Sequence, residues 1–387
     1  MTGDALLLTG ATGFVGTELL VRELARGERH VFALIRADSD EHATRRLHAT
    51  LQDALGAVAP YADRVTAVAG DLELPRLGLR PDRARELATA VGEIVHGAAS
   101  VSFELALDRS RAINVEGTRR MLAFAERCAR LGGLRRFTYV STAYVAGEHR
   151  GVFAEDDLDV GQRFRNPYEQ SKFEAERLVR AARDDLAVTV VRPSIIVGDS
   201  AGGWTASFNV LYWPLRALAR GAYPILPARR HAPVDVVSVD YVADAIAVLH
   251  DLPAAAGQTF HLTASARASS IGELLDLATA RLGCARPPLV APALYRRVVH
   301  PLALRASPRR RRFLRATEAY LPYFAMRVRY DDANARAALG PQLAPAPLAD
   351  YFDRLVDYAL LADWGRSPLP RAAVARPPGP APELVAA

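Results

Sequence analysis

The segment Thr9-Gly10-Ala11-Thr12-Gly13-Phe14-Val15-Gly16 decides the fold of this 387-residue chain. It follows the apolar run 5–8 and precedes a helical pattern that continues to Arg26. Glycines at this spacing permit a tight turn, a close approach to a pyrophosphate and close packing of helix on strand. The helix N-terminus then faces the phosphates. We therefore expect a dinucleotide-binding unit, with a plain strand–turn–helix joint as the alternative. The expected cofactor contacts are Gly10, Thr12, Gly13, Phe14, Val15 and Gly16.

Residues 1–200 alternate short apolar runs with helical patterns, which is typical of a parallel sheet with crossover helices. Strands are predicted at 5–9, 30–35, 65–69, 93–96, 137–140, 188–192, 234–239 and 259–262. Helices are predicted at 13–26, 41–55, 109–131, 169–183, 241–250, 271–282 and 348–361. The pattern indicates an α/β fold, a Rossmann-type doubly wound parallel sheet with a smaller, mostly helical C-terminal substrate lobe. We assign 1–265 to the Rossmann domain, 266–362 to the lobe with a contribution from 193–233, and 363–387 to a Pro/Ala-rich disordered tail.

The composition is that of an ordinary globular enzyme, with 50% hydrophobic and 24% charged residues. The net charge of +6 favours an anionic ligand or partner, but no nucleic-acid motif accompanies it. Cys128 and Cys284 have no metal-binding spacing, so we predict no metal. We find no signal segment and no apolar run long enough to span a membrane, so we expect a cytoplasmic protein.

An arginine ends the second predicted strand, where an NAD-type site would carry an acid. Arg36 at this position could pair with a 2′-phosphate, and Arg45 and Arg46 on the next helix would add charge to the same corner. The sequence therefore predicts NADPH rather than NADH. Asp38 and Asp40 are close enough along the chain that a shift of register would weaken this prediction.

Two further strands end in residues suited to a cofactor, because ligands bind at the carboxyl ends of parallel strands. Asp71, followed by Leu72, ends the third strand, and its carboxylate could accept the adenine amino group. Ala98, Ala99 and Ser100 end the fourth strand, and their small side chains allow a cofactor close to the backbone.

Of the 49 lysine and arginine residues, Lys172 is the sole lysine, and it lies four residues after Tyr168. On a helix this spacing places both side chains on one face. An ammonium is a compact charge that can lower the pKa of a phenol and hold a ribose hydroxyl, whereas a guanidinium is a broad fork. The pair therefore predicts an acid–base site, with a chance Tyr-x-x-x-Lys as the alternative. Ser141 or Thr142, after the fifth strand, would supply a hydroxyl to the same substrate oxygen.

In its motifs and their order the chain resembles the extended short-chain dehydrogenase/reductase superfamily. The matching motifs are Thr-Gly-x-x-Gly-x-x-Gly at 9–16, Asp71-Leu72, Asn114-Val115-x-Gly117-Thr118, Ser141-Thr142, Tyr168-x-x-x-Lys172 and Arg192-Pro193-Ser194. The resemblance implies that Thr142, rather than Ser141, acts with Tyr168 and Lys172, and that Lys172 also binds the cofactor. It gives Asn114 an unsettled role, with helix anchoring as one reading. It also implies that the nicotinamide lies against Pro193, Ser194 and Ile195.

Within the superfamily the chain is most similar to thioester reductases and fatty acyl-CoA reductases, including terminal reductase domains of carboxylic acid reductases and peptide synthetases. The finer resemblance rests on 34–37 with 43–47, on His96-Gly97-Ala98-Ala99-Ser100-Val101-Ser102-Phe103, and on 192–200. It implies reduction of an acyl thioester, on coenzyme A or an acidic carrier protein, to an aldehyde or onward to the alcohol. The 387 residues contain no recognisable adenylation or carrier domain, so we expect the acyl donor to come in trans.

Two other functions fit parts of the sequence. An NAD(P)-dependent epimerase, dehydratase or hydroxysteroid-type dehydrogenase would share the fold, but Arg36 argues against the NAD-using sugar enzymes. A non-catalytic, cofactor-sensing protein would not need the Tyr168–Lys172 pair.

The predicted lobe carries two weaker signals. Trp204, Phe208, Tyr212 and Trp213 lie at roughly helical spacing, which is typical of core, with an acyl channel as the alternative. Eight arginines fall between Arg296 and Arg315, where an acidic carrier or coenzyme A phosphates could dock, or where the chain is simply solvated.

Overall fold

The computed structural model describes residues 3–208, 210–301 and 320–374, and a seven-stranded parallel sheet lies at its centre. The strands are β1 (Ala5–Thr9), β2 (Val31–Arg36), β3 (Val65–Gly70), β4 (Val91–His96), β5 (Arg136–Val140), β6 (Arg150–Phe153), β7 (Val188–Pro193), β8 (Ile195–Val197), β9 (Leu226–Pro227), β10 (Pro233–Val234), β11 (Val236–Ser238), β12 (Thr259–Leu262), β13 (Ser269–Ser270), β14 (Leu289–Val290) and β15 (Arg327–Tyr330). The central order is β3-β2-β1-β4-β5-β7-β12. The winding therefore reverses between β1 and β4, where a crevice opens at the carboxyl ends.

Helices cover both faces of this sheet, which confirms the predicted doubly wound α/β fold. They are α1 (Phe14–Arg26), α2 (Asp40–Leu55), α3 (Pro81–Ala90), α4 (Leu107–Gly132), α5 (Pro167–Ala181), α6 (Tyr212–Ala219), α7 (Val239–Asp251), α8 (Ile271–Leu282), α9 (Pro292–Leu294), α10 (Ala333–Leu339), α11 (Phe352–Leu361) and α12 (Arg371–Val374). One hydrophobic core joins the sheet to α1, α2 and α7, and the other joins it to α3, α4 and α5. Every residue of β7 is buried, because a strand covered on both faces has no solvent side.

A separate hydrophobic core is built largely from α6, α8 and α11 and forms the smaller lobe. Two short strand pairs, β9 with β14 and β10 with β13, also belong to this part of the chain. The lobe is not continuous in sequence. Ala335 and Leu339 of α10 lie in the core beside α7, so residues 333–339 pack on the sheet domain, although the sequence assigned them to the lobe.

The single strand predicted at 234–239 is wrong, because the chain divides it into β10 and β11. The two pieces pair with different partners, β13 and β8. Asp235 lies at the break, where its carboxylate accepts hydrogen bonds from the backbone N–H groups of Ala264 and Ser265 at 2.7 and 2.9 Å. The pattern of apolar residues could not show this division. It depends on Asp235, which is buried because it binds a loop that is distant in sequence.

The disordered tail predicted from residue 363 is wrong for residues 363–374. Arg371 of α12 is 3% exposed, and its guanidinium pairs with the buried carboxylate of Glu18 on α1. Arg22 donates to the same carboxylate at 2.5 Å. The Pro/Ala-rich composition suggested that little could be buried, but Arg371 reaches a distant acid, and Leu369 and Val374 pack against Trp204 and Tyr358. Residues 375–387 lie outside the described residues.

No helix in the described ranges, which omit 209, 302–319 and both termini, is long and apolar enough to cross a membrane.

We predict that Arg371→Ala lowers the free energy of unfolding by about 2 kcal/mol, because a buried carboxylate loses one of its two cationic partners. Urea unfolding followed by circular dichroism measures the change. Arg366→Ala is the matched control, since Arg366 pairs with Asp363 at 3.5 Å on the surface and should contribute almost nothing. Equal losses in the two variants would show that the tail is not anchored through Glu18.

Candidate active site

The glycine-rich segment forms a compact turn between β1 and α1. Gly10 has φ of +80°, a conformation that favours glycine, and a Cβ on Gly16 would lie 1.9 Å from the carbonyl oxygen of Gly10. Gly13 is the N-cap of α1, and no side chain caps the helix there. The first N–H groups of α1 are therefore available to an anion, which fits a pyrophosphate. Phe14 packs against Trp204 at 5.8 Å between ring centroids, and Val15 packs partly into the core.

Arginines gather beside this turn, at the end of β2. Arg36 is exposed at the last position of the strand. Arg46 donates to the backbone oxygen of Arg36 at 2.5 Å and to the hydroxyl of Thr12 at 3.3 Å. Asp40 is engaged elsewhere, because its carboxylate accepts the backbone N–H of Ala69 at 2.9 Å. The corner therefore presents a positive charge next to the glycine turn.

The ends of β3 and β4 line the same crevice. Asp71 accepts the backbone N–H of Glu73 at 2.8 Å, and Leu72 packs against Gly117 of α4. Ala98, Ala99 and Ser100 are partly exposed after β4. Asn114 holds Ser100 in place from α4, since its side chain accepts the Ser100 N–H at 2.8 Å and donates to the Ser100 carbonyl oxygen at 3.0 Å. Asn114 thus acts as an anchor for this loop.

Thr142 and Tyr168 come together at the end of β5. Thr142 follows the strand, and Tyr168 lies in the first turn of α5, where Asn166 caps the helix and Pro167 is the first helical residue. Burial raises the pKa of Tyr168 to about 12, and a hydrogen bond with Thr142 opposes that rise. Burial therefore dominates the pKa of Tyr168 in this structure, and the lowering by Lys172 stays a prediction.

Ser141 and Thr142 point to different partners. The Ser141 hydroxyl donates to the carboxylate of Glu176 at 2.6 Å. Glu176 is fully buried and pairs with Arg192 of β7 at 2.7 Å. Ser141 therefore belongs to a buried ion-pair network under the site, while Thr142 remains beside Tyr168.

Lys172 is buried below this pair, with 3% of its surface exposed. Its ammonium donates to the phenol oxygen of Tyr139 and to the carbonyl oxygen of Val140, both at 2.8 Å. Burial lowers the pKa of Lys172 to about 7, and the negative charge of Glu176 partly opposes this. The lysine therefore changes its charge near neutral pH.

An apolar cavity of about 590 Å³ adjoins the site. Tyr144, Ile195 and Tyr323 are among the residues that line it. Phe103 forms the link, because its ring stacks on Tyr323 at 5.4 Å and lies 5.7 Å from the ring of Tyr168. Most of the other lining side chains are aliphatic or aromatic, including Leu211, Leu215, Leu218, Leu226, Leu274, Phe324, Met326 and Val328.

The aromatic residues noted in the sequence do not form this cavity. None of the described lining residues is Trp204, Phe208, Tyr212 or Trp213. Trp204 and Tyr212 are buried in the cores of the lobe, as the more ordinary interpretation expected. Of the arginine-rich stretch, the part from 302 to 315 lies outside the described residues.

Several residues of the site were missed in the sequence. Tyr139 and Glu176 carried a weak signal, since Tyr139 is the penultimate residue of a strand near the site and Glu176 lies one helical turn after Lys172. Tyr323 carried none, because it is far along the chain. It reaches the site by donating to Glu169 at 2.7 Å and accepting from the side chain of Asn166 at 2.7 Å.

Pro193, Ser194 and Ile195 lie where β7 passes into β8. Thr142 lies near this segment, since its hydroxyl is 3.5 Å from the Pro193 carbonyl oxygen. Ile195 also contributes to the cavity wall. The segment thus contacts both Thr142 and the cavity.

Residues 8–246 match the family model for an NAD-binding domain described as male sterility protein. The chain belongs to this family. Among curated proteins, the isonitrile lipopeptide synthase of Streptomyces coeruleorubidus is 37% identical over 280 residues, or 71% of this chain and 19% of the synthase. The non-canonical nonribosomal peptide synthetase FrzA of Cladobotryum sp is 32% identical over 322 residues, or 80% of this chain and 30% of the synthetase. The chain thus spans less than a third of these relatives.

Solved structures give the same relationship. The terminal R domain from the myxalamid PKS-NRPS biosynthetic pathway has a TM-score of 0.81 and 26% identity, covering 95% of this chain and 93% of that one. The reductase domain of a nonribosomal peptide synthetase from Mycobacterium tuberculosis has a TM-score of 0.67 and 26% identity, covering 93% and 92%. The resemblance to extended short-chain reductases, in the branch of peptide synthetase reductase domains, is confirmed.

We predict different outcomes for the two neighbouring hydroxyls. Thr142→Val should lower kcat of the NAD(P)H-dependent reaction by about 100-fold with little change in melting temperature, because it removes a donor beside Tyr168. Ser141→Ala should instead lower the melting temperature and leave more of kcat, because it removes a hydrogen bond to buried Glu176. Steady-state kinetics and thermal unfolding measure both. The reverse pattern would assign the catalytic hydroxyl to Ser141.

Proposed function

We propose that this member of the NAD-binding male sterility family uses NADPH to reduce an acyl thioester and release an aldehyde. One arrangement carries the proposal. Thr142, Tyr168 and Lys172 lie together at the end of β5, and Tyr144 and Phe103 connect them to an apolar cavity of about 590 Å³. A hydroxyl, a phenol and an ammonium suit a reaction in which negative charge develops on a carbonyl oxygen.

The crevice between β1 and β4 suits the cofactor. The turn at Gly10–Gly16 and the open N-terminus of α1 would hold the pyrophosphate. Asp71 and Leu72 would meet the adenine, and Lys172 a ribose hydroxyl. On the nicotinamide side, the contacts would come from Ala98, Ala99, Ser100, Pro193, Ser194 and Ile195.

The arginine corner supports NADPH over NADH. Arg36 and Arg46 would pair with a 2′-phosphate, which attracts guanidinium groups strongly. One of the two acids that would suit a free 2′-hydroxyl is engaged elsewhere, since Asp40 accepts the Ala69 N–H at 2.9 Å. The other, Asp38, is fully exposed to solvent.

In the reaction, bound NADPH supplies a hydride to the carbonyl carbon of the thioester. Thr142 and Tyr168 donate hydrogen bonds to the carbonyl oxygen as it becomes negative. Tyr168 then passes its proton to that oxygen, and charged Lys172 stabilises the phenolate that remains. The Tyr168 phenolate takes back the hydroxyl proton of the hemithioacetal as the carbon–sulfur bond breaks. An aldehyde leaves, and the thiolate takes up a proton from solvent to become a thiol.

The substrate follows from the cavity and the relatives. An apolar cavity of this volume suits an acyl chain rather than a sugar. Since relatives are peptide and lipopeptide synthetases, we favour a thioester on a carrier protein over one on coenzyme A. Further reduction of the aldehyde to an alcohol would need a second NADPH.

The proposed function is tested by following NADPH absorbance with an acyl-carrier thioester, an acyl-CoA and a nucleotide sugar. We expect oxidation with a thioester and an aldehyde among the products. Tyr168→Phe should lower kcat by about 100-fold or more while NADPH binding changes little, because the proton donor is lost and the cofactor contacts remain. Turnover of the sugar alone would identify an epimerase or dehydratase-type enzyme, and a fully active Tyr168→Phe variant would remove the catalytic assignment.

We predict that Arg36→Ala raises KM for NADPH about tenfold or more and leaves KM for NADH nearly unchanged, because only NADPH carries the 2′-phosphate. Initial-rate kinetics with both cofactors measure the change. Arg119→Ala is the control, because Arg119 is an exposed arginine of α4 that pairs with Glu116 at 3.2 Å. An equal rise of both KM values would mean that Arg36 does not read the 2′-phosphate.

A further inference from the structure

Lys172 is held from two directions by neutral acceptors. Its ammonium donates to the Tyr139 oxygen and the Val140 carbonyl oxygen at 2.8 Å, and it lies 4.3 Å from the centre of the Tyr139 ring. An ammonium has three N–H donors. Two of these donors therefore bond to Tyr139 and Val140, and the directions of those two bonds determine where the third N–H points.

Tyr139 is itself fixed from behind. It is 1% exposed on β5, and its ring lies 5.7 Å from the ring of His96 on β4. Burial raises the pKa of the phenol well above its ordinary value, and the Thr118 hydroxyl opposes that rise. The phenol therefore stays neutral, and its oxygen accepts a hydrogen bond from the ammonium.

The hydrogen bonds around His96 all run in one direction. Thr118 donates its hydroxyl proton to the Asn114 carbonyl oxygen at 2.6 Å, so His96 Nε2 must donate to Thr118 Oγ1 at 3.2 Å. His96 Nδ1 then accepts from Thr9 Oγ1 at 2.8 Å, and Thr9 accepts the Ala98 N–H at 3.1 Å. The residues around Tyr139 are thus tied to the end of β1, where the glycine turn begins.

Among the described groups that face Lys172, only the lysine changes charge near neutral pH. Burial and the charge of Lys172 lower the pKa of His96 to about 3, so it stays neutral. Burial by itself raises the pKa of Glu176, but the charges of Arg192 and Arg180 outweigh this effect and lower the pKa overall. The Glu176 carboxylate therefore stays ionised. Tyr168, with a pKa of about 12, and Tyr139 stay protonated.

We propose that Tyr139 is a positioning residue that keeps Lys172 charged and directs its remaining N–H toward the cofactor and Tyr168. The proposal extends the proposed function, because it concerns the lysine of the same site. The phenol oxygen stabilises the ammonium more than the neutral amine, because only the ammonium donates a charge-assisted hydrogen bond to it. The aromatic ring beneath adds a cation–π attraction, which phenylalanine would keep.

The test is Tyr139→Phe, which retains the ring and removes the oxygen. Because Lys172 is the sole lysine, labelling the chain with lysine carrying ¹³C at Cε gives one lysine signal whose shift reports its protonation. The lost hydrogen bond stabilised the charged form, so the titration midpoint should fall by about one pH unit. The alkaline limb of kcat with NADPH should move down by a similar amount, and kcat on the low-pH plateau should also fall, because the ammonium loses the contact that orients it.

Tyr351→Phe is the matched control, since Tyr351 is 1% exposed and its hydroxyl is among the described buried groups with no hydrogen-bond partner. Its midpoint should equal that of the unaltered protein. An unchanged midpoint in Tyr139→Phe would overturn the proposal. The titration needs neither cofactor nor substrate, so it remains decisive even when no thioester is turned over. If Tyr139→Phe does not fold, Tyr139→Leu replaces it, because it also removes the oxygen that accepts from Lys172, and an unchanged midpoint there would count equally against the proposal.

Discussion

The active site depends on one fully buried ion pair, Glu176 of α5 with Arg192 of β7. Removing two charges from water is costly, and the cost is offset only when every donor and acceptor is satisfied. Here Arg192 also donates to the carbonyl oxygen of Asp157 at 2.6 Å, and Glu176 also accepts from Ser141 and Arg180. These contacts fix the helix against the ends of β5 and β7. The orientation of α5 relative to the sheet is therefore strongly determined.

This orientation places the candidate catalytic groups. Tyr168 and Lys172 precede Glu176 on the same helix, so their positions follow from the ion pair. The ion pair also takes up Ser141, which leaves Thr142 as the hydroxyl beside Tyr168. The same network thus supports the site and separates two adjacent hydroxyls into a structural one and a candidate catalytic one.

The sole lysine differs from the buried arginines in the partners it meets. Arg22, Arg192 and Arg371 each meet a buried carboxylate, as a guanidinium requires when it leaves water. Lys172 instead donates to a phenol and a carbonyl oxygen, which are neutral. Burial therefore lowers its pKa to about 7, and an ammonium with this property would respond to the proton transfer proposed for Tyr168. A guanidinium could not change its charge in this way, because it stays protonated at any accessible pH.

The sequence by itself determined the local parts. The glycine turn, the run of buried strands and the Tyr168–Lys172 spacing follow from neighbours along the chain, so the doubly wound sheet and the candidate catalytic pair could be predicted. Even the strand ends were close, as β1 and β12 agree with their predicted bounds. These features depend on periodicity and on steric rules that act over a few residues.

Only the tertiary structure decided the contacts between distant segments. Tyr323 donates to Glu169, and Arg371 pairs with Glu18. Asp235 interrupts an apolar run and binds the backbone of the loop at Ala264. The rise of the Tyr168 pKa also depends on the tertiary structure, because it is caused by burial of the phenol. Burial and the pairing of charges depend on which residues the fold brings together, and a linear pattern carries little information about side chains that meet across the molecule.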